Sequence, residues 1–272
     1  GQENRCNMPT IVVASPKGGA GKSTAAVILG TELAHEGIPV TLLDCDPNRS
    51  LTLWSEQAKL PPNITVLSDI SEAEIVRTIK THDADGHIVV VDLEGVASRL
   101  VSRAISQADL VLPPMRATTL DAPIGARALQ LRHLRGGLQG LGSLLQHDAV
   151  APHRADQPTR PVRGLDDGHL VARALQLIAE EEEALDRPIP HAVVFTMTKA
   201  IQSKQHKGIE ISLRDHQIDV IDPPLMERAA FSGLFAFGGD LHSMPAQGNM
   251  QGARDNARAF AMQIYRRLAG ES

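Results

Sequence analysis

The fold of this chain follows from one glycine-rich stretch, Ser15-Pro16-Lys17-Gly18-Gly19-Ala20-Gly21-Lys22-Ser23. A short apolar run, Ile11 to Ala14, precedes it, and a run with helical periodicity, Thr24 to His35, follows it. A strand, a glycine-rich turn and a helix that opens with Gly-Lys-Ser form the layout of a phosphate-binding loop. Glycines let backbone N–H groups crowd around phosphate oxygens, and the N-terminus of a helix favours negative charge. The stretch therefore predicts a site for the phosphates of a nucleotide.

Each residue type in this loop has a chemical task. Lys22 would reach the β- and γ-phosphates, and the Ser23 hydroxyl would bind Mg²⁺. The predicted nucleotide-binding residues are Gly18, Gly19, Ala20, Gly21, Lys22, Ser23 and Thr24. The loop is irregular, because Pro16 stands where the usual pattern has glycine and Lys17 adds a second lysine. The alternative interpretation is a glycine-rich turn that binds no phosphate.

Apolar runs alternate with helical periodicity along the whole chain of 272 residues. Several predicted strands are continuous apolar runs, as expected when helices cover both faces of a sheet. This pattern predicts an α/β fold with a doubly wound, mostly parallel sheet flanked by helices. We read residues 1–272 as a single domain. Predicted elements include strands at Leu110–Pro113 and Val220–Ile221 and helices at Leu120–Leu134 and Pro224–Leu234.

One segment interrupts the alternation. The sequence Ala-Arg-Ala-Leu-Gln-Leu occurs at residues 126–131 and again at 172–177, which indicates a local tandem duplication. The region between the copies is rich in Gly, Pro, Gln, His and Arg, so we expect a flexible insertion at about residues 135–165. It is either a tolerated insertion or an element that binds a partner.

Carboxylates follow two of the predicted strands. Asp44-Cys45-Asp46-Pro47-Asn48 follows the second strand, and Asp92 ends the apolar run Ile88 to Val91. Ligands bind at the carboxyl edge of the sheet in doubly wound folds, so these side chains are expected near the phosphate loop. Hydrolysis of a nucleotide needs a group that places water and a carboxylate that holds Mg²⁺. The order of loop, Asp-x-Asp-Pro and strand-ending Asp is stronger evidence than any one of the three.

Together these motifs resemble the ParA/MinD ATPases. The loop has the family's deviant Walker A form, K-G-G-x-G-K-[ST], and Asp44 to Asn48 is similar to its D-x-D-P-Q switch, with Asn48 in place of Gln. The stretch Asp46 to Trp54 resembles the small plasmid-partition ParA proteins and the ParA-like ATPase of the T-DNA transfer system. Ala108 to Pro113 matches the family's A-D-L-V strand. The resemblance covers nearly all of the chain except the insertion.

The resemblance implies a P-loop NTPase fold of the SIMIBI class and an ATPase that uses ATP and Mg²⁺. Lys17 would cross to the partner's nucleotide in an ATP-bound homodimer, and Asp46 would position or activate the attacking water. The implied catalytic residues are Lys17, Lys22 and Asp46, and the implied metal-binding residues are Ser23, Asp44 and Asp92. Thr198 and Pro223 map to loops that hold adenine in the family, although Pro-Pro before a helix is also a common helix start.

The chain departs from the family pattern beyond Asp92. The family usually has proline two residues after this aspartate, and this chain has Glu94 followed by Gly95. Gly95 would let the segment move toward the γ-phosphate. A nucleotide-sensing interaction protein with little hydrolysis therefore stays an alternative function.

DNA is an expected partner, since ATP-bound ParA dimers bind DNA without sequence preference. The net charge of −5 means that such binding needs a local basic patch. The candidate DNA-binding residues are Lys199, Lys204, Lys207, Arg214, Arg254 and Arg258. The alternative is a solvated basic surface. The resemblance also implies a cargo or adaptor protein that stimulates hydrolysis, used to partition or position a plasmid, a transfer complex or other cargo.

Location and the rival classes follow from composition. Two cysteines, Cys6 and Cys45, are too few for a disulfide framework, and their placement does not suit a cluster shared across a nitrogenase-iron-protein-like dimer.

No apolar run is long enough to span a membrane, and Gly1 to Pro9 lacks a secretory h-region, so we expect a cytoplasmic protein that associates with the nucleoid when ATP is bound. A MinD-like membrane-associated ATPase is the alternative, since Phe260, Ile264 and Leu268 form a short apolar stripe, but packing on the sheet explains that stripe better. No stable membrane insertion is expected.

Overall fold

A parallel sheet with helices on both sides forms the centre of the protein. The computed structural model describes residues 8–15, 19–57, 59–95, 98–116, 166–202, 204–215 and 217–270. The strands are β1 Thr10–Ser15, β2 Val40–Cys45, β3 Ile64–Leu67, β4 Ile88–Glu94, β5 Leu110–Leu112, β6 Pro114–Arg116 and β7 Val194–Thr196. The helices are α1 Lys22–His35, α2 Ser50–Gln57, α3 Ile75–Ala84, α4 Arg99–Ile105, α5 Asp166–Leu185, α6 Lys204–Asp215, α7 Ala229–Phe237 and α8 Met250–Leu268.

The main sheet has five parallel strands in the order β3-β2-β4-β1-β5. In this order β1 lies between β4 and β5, and β4 lies between β1 and β2. The loops that follow β1, β2 and β4 therefore meet at one edge of the sheet. The prediction of a doubly wound, mostly parallel α/β sheet is confirmed.

Alternate residues of each central strand point to opposite layers of helices. Ile11 and Val13 of β1 belong to the apolar layer that includes α1 and α8, whereas Val12 and Ala14 belong to the layer formed with α3, α4 and α5. Because both faces are covered, the strand has no polar side, which is why it reads as an uninterrupted apolar run. Each large apolar side chain buried in this way contributes about 1.5–3 kcal/mol to stability.

The strand predicted at Leu110–Pro113 is broken in the structure. β5 ends at Leu112, and β6 begins at Pro114 and pairs in parallel with β7. Pro113 and Pro114 have no backbone N–H, so this segment cannot donate to a continuous ladder. Hydrogen bonds from Val111 N to Pro190 O (2.8 Å) and from Val194 N to Pro113 O (3.0 Å) still join the segment before β7 to the edge of the main sheet.

The segment between β7 and α7 also differs from the prediction. Residues 220–221 form a single bridge, between Val193 and Val220, in place of a strand. The helix predicted from Pro224 begins at Ala229, because Leu225 N donates to Phe195 O (2.9 Å) and Glu227 N donates to Thr198 O (2.8 Å). These bonds hold the segment extended beside the end of β7.

Other sequence predictions concern α8 and the insertion. Phe260 and Ile264 are fully buried in the core layer beside α1, so the apolar stripe of α8 packs inside the protein. No helix in the described ranges is both long and apolar enough to cross a membrane. The predicted helix at Leu120–Leu134, the first copy of the repeat and the insertion at about 135–165 lie outside the described residues, and the second copy of the repeat lies within α5.

Candidate nucleotide-binding site

The loop between β1 and α1 ends in a geometry suited to an anion. Gly19 and Gly21 have φ angles of +96° and +81°, which only glycine adopts without strain. Gly21 caps α1, no side chain in the described structure bonds to the cap, and the first turn contains no acidic residue. The N–H groups at the start of α1 therefore keep their capacity to bind phosphate oxygens, and the helix dipole adds to the attraction. Lys17 and Gly18 lie outside the described residues.

Two residues that the sequence reasoning missed hold this loop in place or flank it. The Thr196 hydroxyl, at the end of β7, donates to Ala20 O at 2.7 Å, and a Cβ atom on Gly21 would lie 3.1 Å from Thr196 Cβ. Arg116, at the end of β6, places Nη2 3.9 Å from where a Cβ of Gly19 would be. Among the described residues nothing accepts a hydrogen bond from its buried Nε. Neither residue belongs to a local motif, so only the pairing of β6 with β7 reveals them.

Lys22 lies between two buried carboxylates. Its Nζ contacts Asp46 Oδ2 and lies 3.1 Å from Asp92 Oδ1, and the three side chains are 4%, 3% and 0% exposed, respectively. Burial alone would lower the pKa of the ammonium, but Asp92 and Asp46 outweigh burial and raise the pKa above its ordinary value. The structure thus brings together the three residues that the sequence predicted from three separate motifs.

Asp92 is the most deeply buried of these three charged residues. Burial raises its pKa to about 6, although the charge of Lys22 and the nearby Ser23 side chain oppose the rise. It lies in register beside Asp44 of the neighbouring strand β2. A carboxylate held here in its charged form needs a cation beside it, and Lys22 supplies one.

Asp46 and Asp44 are held by different partners. Burial would raise the pKa of Asp46, yet hydrogen bonds from Lys22 and from the backbone of Asn48 lower it below its ordinary value. Asp44 Oδ2 accepts hydrogen bonds from Thr52 N (2.7 Å) and Thr52 Oγ1 (2.6 Å), which tie β2 to the first turn of α2. The predicted magnesium-binding role of Asp44 stays a prediction, since this carboxylate already has a structural task.

The predicted adenine-binding residues lie on adjacent segments. Thr198 is buried, and its backbone N–H donates to Leu225 O at 3.1 Å. Its hydroxyl has no hydrogen-bond partner in the described part of the chain. Pro223 is half-buried in the segment that leads to Leu225. Their role toward a base stays a prediction.

The candidate DNA-binding residues lie on two helices and one loop. Lys199, Lys204 and Lys207 are exposed on or just before α6, and Arg214 of α6 pairs with Glu210 at 2.7 Å. On α8, Arg258 Nε bonds to Glu36 Oε1 at 2.8 Å and Arg254 Nε bonds to Leu241 O at 2.8 Å. The three lysines are exposed, and each of the three arginines has a partner, although Arg214 and Arg258 are exposed too.

This arrangement of strand, left-handed glycines, open helix N-terminus and charged lysine is that of a P-loop nucleotide-binding protein. The model of the family described as "CobQ/CobB/MinD/ParA nucleotide binding domain" matches residues 11–238, and the chain belongs to this family. The resemblance to the ParA/MinD ATPases is therefore confirmed.

Individual relatives narrow the comparison. The chain is 54% identical to Protein ParA of Rhizobium radiobacter over 263 residues. This aligned region covers 96% of this chain and 98% of the relative. It is 33% identical over 119 residues to Protein virC1 of Rhizobium rhizogenes, which covers 42% of this chain and 52% of the relative. An ATP complex of Cyanothece McdA has a TM-score of 0.60 at 17% identity, with 98% of each chain covered, and so shares the fold. The chain is thus a member of the ParA-type partition ATPase family.

Proposed function

We propose that this protein is a Mg²⁺-dependent ATPase that dimerises when ATP binds and that positions or partitions cargo on DNA. The observation that carries the proposal is the placement of Lys22 between Asp46 and Asp92 at the open N-terminus of α1. An ammonium, two carboxylates and free helix N–H groups are the components that phosphoryl transfer requires. Slow turnover is expected, because the two states of such a switch must persist.

The residues of the site fit ATP with Mg²⁺. Lys22, the N–H groups of α1 and the nearby Arg116 offer positive charge to phosphates, and Ser23, Asp44 and Asp92 offer oxygen atoms to a hard cation. Phosphate oxygens of the nucleotide would complete the coordination of the ion. The bound ion would neutralise charge on the phosphates. Asp46 would then hold the attacking water.

The proposed partners follow from family membership. Lys17 of each subunit would reach the phosphates of the partner subunit, so ATP would join two subunits face to face. The exposed lysines at and before α6 would bind DNA phosphates, and an adaptor or cargo protein would stimulate hydrolysis and release the dimer. Relatives named for plasmid partition, such as the Thermus thermophilus protein that is 30% identical over 186 residues, support this assignment. A cytoplasmic, nucleoid-associated location goes with it.

The Lys22→Ala variant tests the site. Loss of a charge-assisted hydrogen bond to phosphate should weaken ATP binding about hundredfold, measured by titration calorimetry with Mg²⁺ present. Lys80→Ala removes an exposed lysine of α3 and should leave the affinity unchanged. Circular dichroism checks that both variants fold.

Two outcomes would change the assignment. Equal affinity of wild type and Lys22→Ala would contradict the phosphate site. If the wild type bound ATP tightly but released no phosphate, the result would favour the alternative function, a nucleotide-sensing protein, over the ATPase function.

A further inference from the structure

Asn48 connects the loop after β2 to the end of β4. Its side-chain Nδ2 donates to Asp46 Oδ1 at 3.0 Å and to Glu94 Oε2 at 3.1 Å, and its backbone N donates to the same Asp46 Oδ1 at 2.8 Å. Asp46 and Glu94 lie 48 residues apart in sequence and belong to different loops. One amide group therefore joins the two segments that flank Lys22.

The hydrogen-bonding capacity of the amide fits this arrangement. An Asn side chain has two N–H hydrogens, and here each one faces a carboxylate. The nitrogen end of the amide is therefore the end that faces Asp46 and Glu94. The Oδ1 atom of Asp46 is thus held by Asn48, while its Oδ2 atom contacts Lys22. The two oxygens of the Asp46 carboxylate thus have different hydrogen-bond donors, Asn48 at Oδ1 and Lys22 at Oδ2.

We propose that Glu94 is a positioning residue, which orients Asn48 so that Asn48 keeps the Asp46 carboxylate aimed at the attacking water. This inference rests on the proposed ATPase function. When Lys22 turns to the phosphates, Asp46 loses the contact at Oδ2, and the backbone and side chain of Asn48 still restrain it through Oδ1, with Glu94 beside the same carboxylate. Glu94 keeps the amide from rotating, since the second hydrogen of Nδ2 bonds to Glu94.

The identities of the two residues support a paired role. Asn48 and Glu94 are the positions where this chain differs from the D-x-D-P-Q switch and from the proline that commonly follows the strand-ending aspartate. The two departures are in direct contact. Proline at position 94 would offer no side-chain acceptor, so Glu94 gives the amide a partner that proline cannot provide.

Single-turnover and steady-state ATPase measurements on four variants and one control variant test the proposal. Glu94→Ala should lower kcat about fivefold, since Asn48 is exposed and water can replace part of the lost bond, while the affinity for ATP stays within about twofold. Glu94→Gln should stay within about twofold of the wild-type kcat, because its amide oxygen still accepts from Asn48. Asn48→Ala should lower kcat about tenfold, and Asn48→Ala/Glu94→Ala should be no slower than Asn48→Ala alone. Glu183→Ala, an exposed change on α5, should have no effect.

Three results would overturn the proposal: a wild-type kcat for Glu94→Ala, a Glu94→Gln rate as low as that of Glu94→Ala, or additive losses in the double variant. The second result would mean that the charge of Glu94 acts on the reaction directly.

Unfolding of the nucleotide-free protein decides the same question without ATPase activity. Glu94→Ala should reduce the free energy of unfolding in the wild type but not in Asn48→Ala, and equal losses in both backgrounds would show that the contact does not form. A wild type that binds ATP without hydrolysing it would contradict the ATPase function, whereas the unfolding cycle would still decide whether Glu94 acts through Asn48.

Discussion

The charges of Lys22, Asp46 and Asp92 dominate the site at the scale of single residues. Each is almost wholly buried, and a buried charge is tolerated only with a partner. Two carboxylates share one ammonium, so their charge is not balanced by Lys22 alone. The raised pKa of Asp92, about 6, reflects that imbalance together with burial. The unbalanced negative charge lowers the stability of the nucleotide-free protein and, under the proposed function, would favour the binding of a cation.

Asp92→Asn should make the nucleotide-free protein more stable at pH 7.5. The pKa of Asp92 is about 6 in the folded protein against an ordinary value of 3.8, so the folded state binds the proton more tightly. Stability from this group is therefore greatest below pH 3.8 and falls as the pH rises to 6, by about 3 kcal/mol at most. Asparagine imitates the protonated form, so the variant should lose this pH dependence.

Urea unfolding from pH 4 to pH 7.5 measures the effect of Asp92→Asn. The gain should shrink toward pH 4, and the exposed control Asp85→Asn should show no such trend. A variant that is less stable than the wild type at pH 7.5 would mean that the bond to Lys22 outweighs the cost of burial. Loss of Mg²⁺-dependent ATP binding should accompany the gain.

At the scale of elements, the phosphate loop depends on a strand far away in the sequence. Thr196 of β7 bonds to Ala20 O, and a Cβ on Gly21 would lie only 3.1 Å from its side chain, so Thr196 or the loop would have to shift by a few tenths of an ångström. The β6–β7 pair thus restrains the loop through Thr196. Any distortion of this pair should reach the phosphates through Gly21.

Gly21→Ala and Gly37→Ala separate backbone strain from packing. The φ angles are nearly equal, +81° at Gly21 and +82° at Gly37, but a Cβ on Gly37 meets no atom of the described structure within 4 Å. Gly37→Ala should cost about 1 kcal/mol of unfolding free energy through its left-handed backbone alone, and ATP binding should be unchanged.

Gly21→Ala should cost more than Gly37→Ala in thermal unfolding and should weaken ATP binding about tenfold in calorimetry, since the loop must move away from Thr196. Equal costs for the two variants, with ATP affinity intact, would show that the contact with Thr196 does not restrain the loop.

The sequence predicted those parts of the site that local motifs encode. Lys22, Asp46 and Asp92 each stand in a short pattern with a physical reason, and strand order follows from the βαβ alternation. Thr196, Arg116 and the bond between Asn48 and Glu94 depend on pairing between segments that are distant in the chain, which no local pattern records. The break between β5 and β6 could have been predicted from the two prolines at 113 and 114, because neither has an N–H group to donate to a ladder.

The distribution of charge governs the behaviour of the whole molecule. With a net charge of −5, the protein as a whole repels nucleic acid, so binding to DNA must come from one face. Arg214, Arg254 and Arg258 have partners in Glu210, the Leu241 carbonyl and Glu36, although Arg214 and Arg258 are exposed, and Lys199, Lys204 and Lys207 are exposed as well. The lysine surface at and before α6 is the strongest candidate for contact with phosphates.

Lys204→Glu/Lys207→Glu should weaken ATP-dependent binding to random duplex DNA. If both lysines contact phosphates, the slope of log K against log salt should fall by about 1.8. Fluorescence anisotropy over a range of salt concentrations measures this slope. Lys59→Glu/Lys80→Glu makes the same change of charge at exposed lysines before β3 and on α3. An equal loss of affinity in both double variants would point to net charge rather than to a binding surface.

The position of Lys22 between two carboxylates has a consequence for the order in which ligands affect each other. Lys22 contacts both Asp46 and Asp92. Under the proposed function, nucleotide would attract Lys22 away from them and a cation would take its place, so each ligand would relieve the charge that the other leaves unpaired. Under the proposed function, ATP and Mg²⁺ therefore bind with positive cooperativity. Because such coupling is reciprocal, the factor by which Mg²⁺ tightens ATP binding equals the factor by which ATP tightens Mg²⁺ binding. The site then responds to the two ligands as a pair, and neither alone moves Lys22 at low cost.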